Sequence, residues 1–316
     1  MKAISDDKNQ KKRYKSYRKR IAKLESKVFH KPMKKGKKLK DVSQLLPINS
    51  LIKTTKLDPA SVEKARGVLD NHLFLMDNLE TIEFKDKINW NYQHTTSANT
   101  YSLYMQCINA LSLLCDAFHE TEDRLFLYKA YEILLDWLYF EKTDKGNNAF
   151  VWSDHTAPNR VLNIIYFYCT ASEEIEVNDD ILLELLVRHG QFLMDDQNYV
   201  ENNHGIMMDR SLIVLSIFLF KHISSQQWLD KGKHRIKNAF YRDFSFKGVH
   251  LENSPGYHAL IKNMYQEIIR FMKSQKLSLD PIVEAGIRRS NAYLGHIYRP
   301  NKKMPIIGDT QQSTKG

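Results

Sequence analysis

From about residue 60 onward, apolar side chains recur every three or four positions, in segments separated by only a few residues. This spacing predicts helices near 60–77, 97–119, 122–142, 157–171, 179–196, 204–222, 225–242, 255–275 and 280–298. Start signals support several of them. Ser61 follows Asp58-Pro59, Pro158 follows Thr156-Ala157, Asn178 precedes two aspartates, and Ser254-Pro255 combines a capping hydroxyl with proline at the first helical position. Helices of similar length joined by short turns bury their apolar stripes as consecutive antiparallel hairpins, stacked in a line or closed round an axis. No repeat of fixed length is visible, which disfavours a repeat solenoid. Residues 206–220 are apolar nearly all round, interrupted mainly by Asp209, Arg210 and Ser216, as an inner helix would be. The expected fold is all-α: an incomplete α/α toroid of helical hairpins. The one extended-looking stretch, FSFKGVHL at 244–251, is expected to form at most a small β-hairpin.

Composition agrees with a packed body, at 42% hydrophobic and 11% aromatic residues over 316 positions. The charge is unevenly placed. Residues 1–40 hold 17 lysines and arginines against Asp6, Asp7 and Glu25, a net of +14 within a chain of +10, so the rest carries −4. Two regions are therefore expected: a basic leader and linker over 1–57, partly disordered or helical, and the toroid over 58–316. Such a leader attracts anionic surfaces in general, whether nucleic acid, acidic glycan or membrane. No specific nucleic-acid partner is expected. The leader has no continuous apolar run of the kind a secretory signal needs, which points to the cytoplasm, with the periplasm as the alternative. LIVLSIFLF at 212–220 is too short to span a bilayer, so no transmembrane segment is expected. Cys107, Cys115 and Cys169 form no paired or metal-binding pattern, and no metal or other cofactor is expected.

Two predicted helix starts carry unusual polar groups. In VENNHGIMMDR, 200–210, Asn202, Asn203 and His204 precede Gly205 and the apolar helix. The plain account is that Asn203 caps the helix and Gly205 lets the backbone turn. It leaves unexplained two amides and an imidazole gathered at the mouth of an inner helix. In ENSPGYH, 252–258, Tyr257 and His258 enter the first turn of the next inner helix. Spacing makes Tyr257 the first member of an apolar stripe continued by Leu260, Ile261, Met264, Tyr265, Ile268, Ile269 and Met272, with His258 about 100° away. Packing accounts for that arrangement; so does chemistry. An ordinary phenol is almost wholly protonated at neutral pH, and a helix start, especially beside a protonated imidazole, favours negative charge. In an alternating array these two helices point the same way, so their starts share one end.

Taken together, NNHG at 202–205, ENSPGYH at 252–258, MPIIGDT at 304–310 and the VWSDHTAPNRVLN segment at 151–163 resemble the heparinase II/III-type polysaccharide lyases, which include alginate and oligo-alginate lyases. The resemblance covers roughly 60–312, corresponding to that family's N-terminal toroid. It implies cleavage of an acidic, uronic-acid-containing polysaccharide by β-elimination. Asn203 and His204 would face the sugar carboxylate, Tyr257 would transfer the proton, and His258, Arg160, Asn202 and Trp152 would contact substrate. Family members continue past the GDT-like segment into a large β-sandwich that walls one side of the cleft. Here the sequence stops at Gly316, so the expectation is either a truncated or split product, inactive alone, or a separate β-sandwich polypeptide that completes the site as a partner. Two other readings stay open. One is a non-catalytic acidic-glycan-binding or assembly protein. The other is a toroidal glycoside hydrolase, which needs two carboxylates flanking the bond from among Glu201, Asp209, Glu252 and Asp309.

Overall fold

This computed structural model describes residues 2–28, 38–55, 58, 60–85, 87–301, 303–308 and 310, with residues 2–9 given by backbone alone. The chain opens with α1 (Lys2–Val28) and a short α2 (Leu39–Val42), followed by α3 (Ser61–Leu69). Strands β1 (His72–Leu73) and β2 (Ile82–Glu83) pair antiparallel, His72 opposite Glu83 and Leu73 opposite Ile82. Then come α4 (Ala98–Cys107), α5 (Ala110–Thr121), α6 (Leu125–Thr143) and α7 (Thr156–Ala171). The series ends with α8 (Asp179–Met194), α9 (Asn203–Phe218), α10 (Ser225–Asp243), α11 (Pro255–Ser274) and α12 (Pro281–Ile297). The expected all-α toroid of hairpins is what forms.

Two expected helices differ, each for a readable reason. The one placed over 60–77 stops at Leu69, because Asn71 takes a left-handed conformation (φ 67°) and turns the chain into β1. The one placed over 97–119 is two helices, broken at Ile108 (φ 48°). Carbonyls freed at that break are taken up by α7: Arg160 Nη1 donates to Gln106 O at 2.8 Å, and Asn163 Nδ2 to Cys107 O at 2.9 Å. Local periodicity runs straight through such a break because both halves bury the same kind of face. Around 244–251 the expected hairpin reduces to a single antiparallel bridge, Phe244 with His250.

Within the leader the chain forms α1. Tyr14, Tyr17, Ile21, Leu24 and Val28 repeat at i, i+3, i+7, i+10 and i+14, and this seam is packed into the same core as α6. Polar ties fix the register. Tyr131 donates its hydroxyl to Glu25 at 2.6 Å, Arg18 Nε donates to the Tyr128 hydroxyl at 3.0 Å, and Lys142 Nζ to the Val28 carbonyl at 3.3 Å. The remainder of the leader over 29–37 lies outside the described residues. No described helix is long and apolar enough to cross a membrane.

The innermost position belongs to α9, buried on every side from Gly205 to Phe218 and packed against α7, α8, α10 and α11. Asp154, just ahead of α7, bonds His204 at the start of α9. The far end of α10 returns to the same level. Arg242 stands 3.9 Å from Glu201, and the Asp243 carbonyl accepts the Leu251 N–H at 2.8 Å, on the loop that leads into α11. The starts of α7, α9 and α11 therefore share one end of the ring, as the alternating array predicts.

If the α1 seam carries stability, Ile21→Ala should lower the unfolding free energy by about 2 to 5 kcal/mol in urea titrations. A solvated arm would give a change near zero.

Candidate functional site

At the start of α9 the cap is Asn202, whose side-chain oxygen accepts the His204 N–H at 2.7 Å. The expected cap, Asn203, is one position too late: it is already the first helical residue. Its half-buried amide has no hydrogen-bond partner among the described residues. Gly205 also differs from expectation. It lies inside the helix, and a Cβ there would collide with the Val200 carbonyl oxygen and approach the Tyr199 ring at 2.9 Å, so the glycine serves close packing and not a turn.

His204 Nδ1 lies 2.9 Å from Asp154 Oδ2. A carboxylate only accepts, so the proton sits on Nδ1 and the other nitrogen, Nε2, is left for other work. Its ring meets that of His155 edge-on at 5.2 Å. Burial, then the neighbouring His204 charge, push His155 down to about 4, so this second imidazole is neutral at ordinary pH. The pairing of Asp154 with His204 was not legible in the sequence. The only signal was an Asp-His dipeptide just ahead of a predicted helix.

At the start of α11, Ser254 is the expected cap, accepting the Tyr257 N–H at 3.4 Å, with Pro255 opening the helix. A second group completes it. Thr310 Oγ1 accepts the Gly256 N–H at 2.9 Å and lies 3.2 Å from the Ser254 hydroxyl. A Cβ on Gly256 would stand only 3.2 Å from Thr310 Cα. Two motifs some fifty residues apart in sequence are thus clipped together, and the tyrosine-bearing turn is held by both.

The inward face of α11 is turned part of a step from the expected one: Ile261, Tyr265, Ile268 and Met272 are buried as expected, but the head of the stripe is not Tyr257. The buried residues are His258, Ile261, Lys262, Tyr265, Ile268, Phe271 and Met272, whereas Leu260 is 43% exposed and Tyr257 only half-buried. His258 heads the stripe. Its Nδ1 accepts the His250 N–H at 3.1 Å, so Nε2 carries the proton and donates to the Ser290 carbonyl at 3.1 Å. Burial lowers its pKa, so the protonated imidazole expected beside Tyr257 is not what forms. His258 ties α11 to α12 and to the loop before it. The Tyr257 hydroxyl has no partner among the described residues.

Arg160 and Trp152 sit below this end. Arg160 is fully buried between the rings of Trp137 and Trp152, 4.2 and 4.9 Å from their centroids, and donates to His189 Nε2 at 3.0 Å. Without a carboxylate partner, burial lowers its guanidinium to about 9. Trp152 is partly buried and donates to Glu141 at 3.0 Å. Of the carboxylates a hydrolase would use, Asp209 is sealed in the core and accepts the Tyr199 hydroxyl at 2.9 Å. Glu201 and Glu252 are exposed, and Asp309 lies outside the described residues. Among the described residues, no group of three or more His, Cys, Asp or Glu side chains is gathered as a metal site.

Comparison with known proteins follows this geometry. The family described as heparinase II/III N-terminus matches residues 6–316. The crystal structure of heparan sulfate lyase HepC from Pedobacter heparinus superposes with a TM-score of 0.68 at 16% identity, covering 99% of this chain and 48% of that one. Heparinase III gives a TM-score of 0.68 at 17% identity, over 93% of this chain and 45% of that one. A heparinase III described as the BT4657 gene product gives 0.64 at 15%, over 81% and 43%. The chain thus spans about half the length of the structures it matches, and likeness at such low identity shows a shared fold. No curated protein matches it by sequence.

Because His155 is held neutral by the fold, the unfolded chain takes up a proton there that the native state refuses. Stability from this residue is full above pH 6.5 and falls as pH drops toward 4. Relative to His155→Phe, the unaltered protein should lose about 2 kcal/mol between pH 7.5 and pH 5, read from urea unfolding at both values.

Proposed function

The chain belongs to the heparinase II/III N-terminal family, and from that premise we propose that it cleaves an acidic, uronic-acid-containing polysaccharide by β-elimination. A proton on carbon beside a carboxylate is very weakly acidic, because its removal places further negative charge on the same group. The free amide of Asn203 and the imidazole of His204 are the polar groups offered to that carboxylate as the charge develops. Asp154 keeps the His204 ring oriented with Nε2 outward. Tyr257 takes the C5 proton, and the electron pair forms the C4–C5 double bond as the C4–oxygen bond breaks. The phenol then returns a proton to the departing glycosidic oxygen.

The observation that carries this reading is the division of labour at the two helix starts. Asn202 does the capping and His258 does the packing, which leaves Asn203 and Tyr257, their neighbours, with polar ends unspent. Groups used neither for caps nor for core are the ones available to a ligand. The cleft wall is proposed to come from a β-sandwich on a further segment or a separate polypeptide. Leu251, Ile306 and Ile307, each more than half exposed in the segments that meet at the α11 start, offer it an apolar seat.

Alginate and heparan sulfate are the first substrates to test, by ultraviolet absorbance of the unsaturated product. Tyr257→Phe should cut kcat by about 10²- to 10⁴-fold while glycan binding is kept, and Asn203→Ala by about 10²- to 10³-fold. A fully active Tyr257→Phe removes the tyrosine from the chemistry. Products without a double bond would instead mark a hydrolase.

A further inference from the structure

A cavity of about 560 Å³ lies away from this end, between α1, α6 and the segment that follows β2. It arises from a second row on the leader helix. The apolar seam at 14, 17, 21, 24 and 28 seats α1 in the core. One position earlier, Arg13, Ser16, Arg20, Lys23 and Lys27 repeat the same spacing, and so lie about 100° round the helix, beside the seam. The row is about 21 Å long. Across the cavity stand Lys85 and Lys87, both exposed.

The acids that line this space are already engaged. Glu132 is bonded by Arg20 and lies 3.7 Å from Lys129 Nζ. Asp136 accepts the Trp90 indole N–H at 2.9 Å, and burial raises its pKa, which weakens it as a counter-charge. No ion pair joins Arg13, Lys23, Lys85 or Lys87 to an acid among the described residues. A concave surface with this surplus of positive charge concentrates anions.

We propose that this groove is a second, non-catalytic binding site for a stretch of linear acidic polysaccharide. The inference rests on the polysaccharide reading above and adds to it where the chain is held. Rings in the groove are not free to stack bases: Arg20 lies over Tyr17 at 4.1 Å and Lys129 over Phe84 at 5.3 Å. Single-stranded nucleic acid draws much of its affinity from such faces. A carboxylated or sulfated glycan presents charge at regular intervals and needs only a matching row of cations. Held there, a long polymer raises the local concentration of its own residues near the protein, as any second foothold does.

The test compares binding of heparan sulfate and alginate polymers, and of a single-stranded RNA of equal net charge, by calorimetry at low salt. The variant R13E/K23E/K87E changes exposed side chains only, and unchanged thermal melting confirms that it folds. K221E/K233E/K276E, which alters net charge equally but elsewhere, is the control. Expected is a fall of about tenfold or more in polysaccharide affinity for the first variant and not the second, with RNA the weaker ligand of the unaltered protein. Equal affinities in all three proteins, an equal loss in the control, or tighter binding of RNA would each overturn the proposal. Polysaccharide binding that survives without any unsaturated product would sink the lyase reading and leave this site standing.

Discussion

Everything at the candidate site follows from one constraint: α9 is buried on all sides, so no charged or polar side chain along its body can reach a ligand. Most of its interior polar atoms are spent on the fold, Asp209 Oδ1 and Arg210 Nε excepted. Ser211 donates to the Pro158 carbonyl at 2.8 Å, and Asp209 is held by Tyr199. Burying such groups without partners would cost more than the helix gains from packing. Only the first turn lies open, and there the backbone itself presents unpaired N–H groups. The proposed chemistry is therefore placed at helix starts.

What happens at those starts is an allocation of partners. Each first turn needs acceptors for its N–H groups, and a residue that supplies one is no longer free. Asn202 serves α9, and Ser254 with Thr310 serves α11. The same competition runs between core and ligand one residue later, where His258 is drawn inward by His250 and Ser290. Asn203, His204 and Tyr257 remain only partly buried. The ring of α7, α9 and α11 gathers them at one end because α8 and α10 each reverse the chain once.

The leader shows the same economy in charge. Its cations are too many to be neutralised locally, yet one face of α1 is apolar enough to dock on α6. Docking turns a diffuse excess of charge into an ordered row beside a seam. Disordered, the same residues would attract anions without regard to spacing; fixed at helical intervals, they offer a linear ligand a definite track.

The number and limits of most helices, their hairpin order, the cap at Ser254 and the inner character of 204–222 were legible in the sequence, because each depends on residues within a turn or two of one another. The break at Ile108 was not, since Arg160 and Asn163, which take up the freed carbonyls, lie some fifty residues away, and neither was the turn at Asn71. Nor was the inward turn of His258 rather than Tyr257. Adjacent residues differ by about 100° on a helix, and which one faces the core depends on the phase that packing against α9 and α12 selects. The same holds for Asp154 with His204 and Thr310 with Gly256. Periodicity is a local property and so is written in the chain; the pairing of distant polar groups is decided only when helices come together and water is excluded between them.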